Sequence, residues 1–138
     1  MATNIRAELS TKNPYWLERH RYYELKHFCL QYPLWKKELV ELNLCSYGSI
    51  VSVEHSTGCI QNPTVEQAER RTFYGDRVSM IERTAVKAAG ELSDYILKGV
   101  TEEVPFYTLQ TVHGIPCCRD TYYDLYRKFF WLLSQERQ

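Results

Sequence analysis

From residue 74 to residue 92, apolar and small side chains return at the interval of a helical turn: Tyr74, Val78, Ile81, Ala85, Ala88 and Leu92. That spacing gathers all six on one stripe of an α-helix and would scatter them over both faces of a strand, so the segment is predicted to be a helix burying one side. Asn62-Pro63-Thr64 supplies its start. Asn and Thr side chains satisfy free amides of a first turn, Pro is tolerated where the helix has no use for its amide, and Thr64 with Gln67 fits a capping box. A helix of this length cannot stand alone, and its apolar stripe needs others to cover it.

The rest of the chain repeats the same kind of signal between proline and glycine stops. Asn13-Pro14 marks the start of a helix expected to run to about residue 31, with Trp16, His20, Tyr23, His27 and Leu30 at three-four spacing, widened by Leu17, Leu25, Phe28 and Cys29. His20 and His27 are expected among the packed residues of that face. Pro33 should break it before a second piece around Leu34–Val40. Over residues 46–62 the pattern dissolves into Ser, Gly and Thr around Ile50-Val51-Ser52-Val53, which predicts an irregular or hairpin insert. Gly90 should end the long helix. A short one then carries Leu92, Tyr95, Ile96 and Leu97 to a stop near Lys98-Gly99, with Gly99 as its C-cap. Pro105 opens another, with Phe106, Leu109 and Val112 on one face before Gly114. The segment 119–136 closes the chain, turning Tyr122, Tyr126, Phe129, Phe130 and Leu133 inward.

The expected fold is therefore all-α: five to six helices in a single domain, 1–138. Its parts are aromatic N-terminal helices over 13–45, the insert at 46–62, central helices over 63–100 and a helix-turn-helix-like unit over 104–138, with residues 1–12 as a frayed arm. Length and composition agree with one domain, since 138 residues with 44% hydrophobic and 25% charged side chains can bury a core unaided. No apolar leader opens the chain, and no window approaches the ~20 apolar residues of a membrane span, so no membrane partner and a cytoplasmic location are expected. Five cysteines, Cys29, Cys45, Cys59, Cys117 and Cys118, have no framework spacing and are expected as reduced thiols.

Net charge is zero, so any nucleic-acid contact has to be local. Basic residues outnumber acidic ones seven to five over 1–43 and four to three over 104–138, while the middle is acidic, six against nine. The C-terminal pair of helices has the layout of a helix-turn-helix: Gly114 supplies a positive φ at the turn, Ile115 plugs the gap behind it, and the last helix offers its N-terminal residues to a major groove. Arg119, Thr121, Tyr122 and Tyr123 are the candidate base or phosphate contacts, with Arg127, Lys128 and Arg137 on the backbone. Asp120 and Asp124 share the helix and oppose phosphate unless they pair with Arg119 and Arg127 or accept from cytosine.

Residues 64–136 resemble the sigma-factor-like RinA-type and ArpU-type transcriptional activators of Gram-positive phages. The resemblance is carried by Ile81-Glu82-Arg83 in the long helix, Tyr95-Ile96-Leu97-Lys98, Gly114-Ile115 at the turn, and Tyr122-Tyr123 with Tyr126-Arg127-Lys128-Phe129. It departs from the family at Gln110, at His113 before the glycine, and in a turn lengthened by Pro116-Cys117-Cys118. The resemblance implies a phage or mobile-element regulator that binds double-stranded DNA and contacts RNA polymerase or another host protein. The long helix would give a partner or homodimer face through Tyr74, Val78, Ile81, Arg70 and Arg71.

Two other classes fit the residues: an inhibitor of a host protein, such as an anti-CRISPR, using its tyrosines and acidic middle as a protein interface, and a small packaging or assembly subunit. Enzyme chemistry finds no Walker loop, dinucleotide fingerprint or acidic metal cluster. His113 and Cys117 stand four apart but lack an orienting partner and an oxyanion site. His55, Cys59, Cys45, Cys117 and Cys118 offer no paired-cysteine spacing for zinc, so no metal and no cofactor is expected. The Arg19-His20-Arg21 and Arg70-Arg71 clusters are interleaved with glutamates and read as solvated helix faces.

Overall fold

A computed structural model describes residues 13–51 and 65–137, without the side chains of 45–51. Within them the chain is all-α: α1 (Arg19–Leu30), α2 (Tyr32–Val51), α3 (Val65–Ala89), α4 (Ser93–Thr101), α5 (Phe106–Thr111) and α6 (Arg119–Glu136), with a single 3-10 turn at Gly90–Leu92. The expected five to six helices resolve into four long ones, α1, α2, α3 and α6, with α4 and α5 as short pieces between α3 and α6. No helix among the described residues is long and apolar enough to cross a membrane.

The first helix starts later than the Asn13-Pro14 signal predicts. Asn13 Oδ1 instead accepts from the Tyr15 amide at 2.9 Å, and the Trp16 amide donates to the Asn13 carbonyl at 3.1 Å, closing a separate turn. Glu18 is extended, and α1 begins after it. The buried stripe is Tyr22, Leu25, Phe28 and Cys29, with Leu17 just ahead; Trp16, His20 and His27 are exposed, contrary to expectation. Two imidazoles would lose hydration inside an apolar core, and the rival stripe has none to lose. At Pro33 the break is a single residue, Gln31: Pro33 falls in the first turn of α2, and the Trp35 amide bonds the Gln31 carbonyl at 3.0 Å.

The backbone of α2 stays helical through Val51, so the expected insert does not begin at 46; its remainder, 52–62, lies outside the described residues, as do 1–12. Nothing between Pro33 and Val51 stops a helix, since Gly48 costs only about 1 kcal/mol. Helix α3 ends where expected, at Gly90, which takes φ +56°, a left-handed conformation that suits a residue without a Cβ. Gly99 is not a cap. It lies inside α4, where a Cβ would run into the hydroxyl of Tyr122 on α6. A glycine marking close approach and a glycine ending a helix are identical in a sequence.

The core sits between the C-terminal half of α3 and α6, with α1 and α4 packed on α6 and α2 along α3. Leu25, Ile81, Ile96, Leu109, Phe129, Phe130 and Leu133 are fully enclosed, each contributing roughly 1.5–3 kcal/mol by burial. Aromatic edges bind the layers: Tyr22 meets Phe130 at 5.2 Å, Tyr126 meets Phe130 at 5.0 Å, and Phe28 meets Trp35 at 4.9 Å. The inward set expected on α6 is in place, with Tyr126 half-buried and its hydroxyl 3.5 Å from that of Tyr22. On α5, Phe106 and Leu109 are buried, but Val112, just past its end, is 70% exposed; Ile115, across the turn, is buried as expected.

Candidate nucleic-acid interface

The C-terminal unit is built around one turn. Gly114 takes φ +65°, Ile115 is buried behind it, and the Ile115 amide donates back to the Leu109 carbonyl at 3.0 Å. With Leu109 and Ile115 held, the chain leaves α5, crosses residues 112–118 and enters α6 at Cys118, whose extended backbone forms the N-cap. This linker is longer than the three or four residues of a compact helix-turn-helix.

The candidate contact residues divide sharply at the first turn of α6. Arg119 and Thr121 are exposed and Tyr123 is half-buried, with the Arg119 guanidinium 5.4 Å from the centre of the Tyr123 ring. Tyr122, expected among them, is only 2% exposed: its ring packs on Phe106 at 5.4 Å and its hydroxyl lies against Gly99, so it belongs to the core. Burial pushes the Tyr122 hydroxyl well above the usual phenol range, and the neighbouring Tyr123 adds to the shift. Arg127 is engaged by Asp124 at 3.4 Å, one of the two pairings that would relieve acidic repulsion; Lys128 is half-buried.

The partner face expected on α3 separates in the same way. Val78 and Ile81 are buried in the chain's own core and offer nothing to a second protein. The turn spacing that nominated them is the spacing of an intramolecular stripe. Tyr74 is half-buried, Arg70 pairs with Glu66 at 2.9 Å, and Arg71 reaches the Leu42 carbonyl of α2 at 3.5 Å.

Two residues that sequence reasoning passed over stand beside Arg119. Tyr107 is 73% exposed and Gln110 is exposed. Together with Pro105, Phe106, Cys118, Arg119 and Tyr123 they line a cleft of about 580 Å³ between α5 and the start of α6. A signal for them existed: once Phe106 and Leu109 are assigned inward, Tyr107 and Gln110 must face out together on a short helix. Cys118 is exposed, and its Sγ lies 3.1 Å from Thr121 Oγ1, a hydrogen bond that lowers the thiol pKa; burial instead raises that of Cys117. His113 is exposed with Nδ1 3.3 Å from Lys98 Nζ. His55, Cys59 and the Cys45 side chain lie outside the described residues.

Comparison with protein-family models, with curated proteins and with solved structures finds no match for this chain.

Proposed function

We propose that this protein binds double-stranded DNA through the N-terminal turn of α6, as a transcriptional regulator of a phage or mobile element. The observation that carries the reading is the exposure of Arg119 and Thr121 at the start of an 18-residue helix in which the next residue, Tyr122, is locked in the core. A buried anchor fixes the angle at which α6 meets a groove, while Arg119 on its first turn faces a phosphate or a guanine edge. Arg127 and Lys128 lie further along the helix and serve the backbone, Arg127 once Asp124 releases it. RNA polymerase or another host protein is the second partner, and the half-buried Tyr74 with the Arg70 region remains the place for it or for a second copy.

The test is selection from a randomised duplex library with the purified protein, followed by anisotropy on the enriched sequence across a salt series. Expected are an enriched motif, an affinity that falls as salt rises, and a slope reduced by about one when Arg119→Ala removes a phosphate contact. No enrichment, or an Arg119→Ala protein that binds its motif unchanged, overturns the choice of α6.

A second reading, a protein that sequesters a host protein, is favoured by Tyr107 and Val112, both largely exposed on or just after α5, with Asp120 and Asp124 exposed on α6. A stoichiometric host protein retained on the tagged chain after nuclease treatment, lost on Tyr107→Ala, would establish it.

A further inference from the structure

We propose that the cleft between α5 and α6 is a binding site for a nucleotide-type ligand, its planar ring lying against Tyr107 and the edge of Tyr123 and its phosphate held by Arg119. This deepens the reading of α6 as a nucleic-acid helix, and rests on it only for one source of the ligand. The shared chemistry is a flat ring bearing an anion, supplied either by an unpaired nucleotide of a strand or by a free nucleotide.

Size, lining and charge support this independently. About 580 Å³ lies within the range of small-ligand sites and is ample for a mononucleotide. Three aromatic rings, Phe106, Tyr107 and Tyr123, contribute to the walls, and Gln110 adds an amide able both to donate and to accept at a base edge. Arg119 is the sole formally charged residue of the lining, and it has no ion pair among the described residues, only the face of Tyr123. Its guanidinium lies over the Tyr123 face at one wall of the cleft, where it can hold the anion of a flat group that rests on Tyr107. The groove between α2 and α4, of similar size at about 570 Å³, makes the contrast: Tyr32 is its one aromatic wall residue, carboxylates of Glu41 and Glu102 share the lining with its lysines, and Lys36 is already paired with Glu82 at 3.6 Å.

Cys118 lines the cleft and reports its occupancy. The rate of Cys118 alkylation by iodoacetamide, followed by fragmentation mass spectrometry, would be measured on the full chain alone, with oligothymidylate of about six nucleotides, with thymidine monophosphate, and with duplex. Oligothymidylate is expected to slow alkylation several-fold, with affinity about tenfold weaker in Tyr107→Ala and in Arg119→Gln. Tyr107 is a surface residue whose loss leaves the core intact, so a folded Tyr107→Ala protein with unchanged protection overturns the proposal. Protection by the mononucleotide at comparable affinity identifies a free nucleotide as the ligand; protection by the oligomer alone identifies a strand. If duplex binds while neither single-stranded probe protects Cys118, the cleft proposal falls and the duplex reading survives. Protection by oligomer or mononucleotide without duplex binding does the opposite: the cleft stands and the duplex reading falls.

Discussion

Replacing Gly99 with alanine should destabilise the fold, although the same change would stabilise an isolated helix. Gly99 lies within α4, where alanine gains up to about 1 kcal/mol over glycine from backbone entropy. Against this, the new Cβ would overlap the Tyr122 hydroxyl and lie 3.2 Å from its Cζ. A hydroxyl at the end of a loose side chain would swing aside. Tyr122 has no such freedom, because its ring is enclosed by Phe106, Tyr123 and Tyr126 at centroid distances of 5.4, 5.1 and 6.1 Å. Overpacking costs about 1–3 kcal/mol, and a direct overlap with a held atom falls in the upper half of that range, so after the helix gain the net loss is about 1–2 kcal/mol, or roughly 3–8 °C in Tm for a domain of this size. Tyr122→Phe removes the obstructing atom, and in that background Gly99→Ala should cost less than ~0.5 kcal/mol or become stabilising through the helix term. Urea denaturation of the two single variants and the double variant measures the coupling. A Gly99→Ala protein as stable as its parent, or losses that simply add, would refute the proposed close contact of α4 and α6.

Ile81→Ala, at a fully buried position, should lose about 2–5 kcal/mol in urea denaturation and leave the mass measured by light scattering unchanged, since Ile81 faces the chain's own core. The alkylation rate of Cys118 should rise with pH to a midpoint below that of an ordinary cysteine, because the Thr121 hydroxyl stabilises the thiolate, and Thr121→Ala should move that midpoint up. Glu136 pairs with Lys87 at 2.6 Å, and that hydrogen bond holds its carboxyl below the usual range in the folded state. A lowered folded-state value gives a small stabilisation that is present above the unfolded-state value and lost as pH falls through the folded one, so Glu136→Gln should flatten the acid side of the stability profile; an unchanged profile would count against the pair.

The helices were legible because their apolar residues outnumber any alternative pattern at the same spacing. Val78, Ile81, Ala85 and Ala88 on α3 and Phe129, Phe130 and Leu133 on α6 are buried as the three-four interval requires. Prediction failed where two stripes compete on one helix. On α1, His20 and His27 belong to one series and Tyr22, Leu25 and Phe28 to another, and desolvation of the imidazoles, not spacing, decides between them. It failed again at Gly99, because a close approach between α4 and α6 depends on two residues 23 positions apart.

The same limit governs α6, where tyrosines at 122 and 123 have opposite fates. A tyrosine is large enough to fill a core and polar enough to line a surface, so its identity carries little information about direction, and adjacent positions on a helix turn by about 100°. Direction is set by the neighbours: Phe129, Phe130 and Leu133 fix the inward stripe, Tyr122 falls on its extension against Gly99, and Tyr123 is left at the margin, where Arg119 stacks on it. At the first turn of α6 the candidate contact surface is thereby narrower than the sequence suggests, confined to Arg119, Thr121 and the edge of Tyr123, and it gains Tyr107 and Gln110 from the preceding helix. A reading turn reduced to one guanidinium, with Asp120 and Asp124 on the same helix, cannot rely on nonspecific attraction to phosphate. Whatever nucleic acid it binds must be held by shape and by the aromatic wall beside it, and the salt dependence of that binding should be correspondingly shallow.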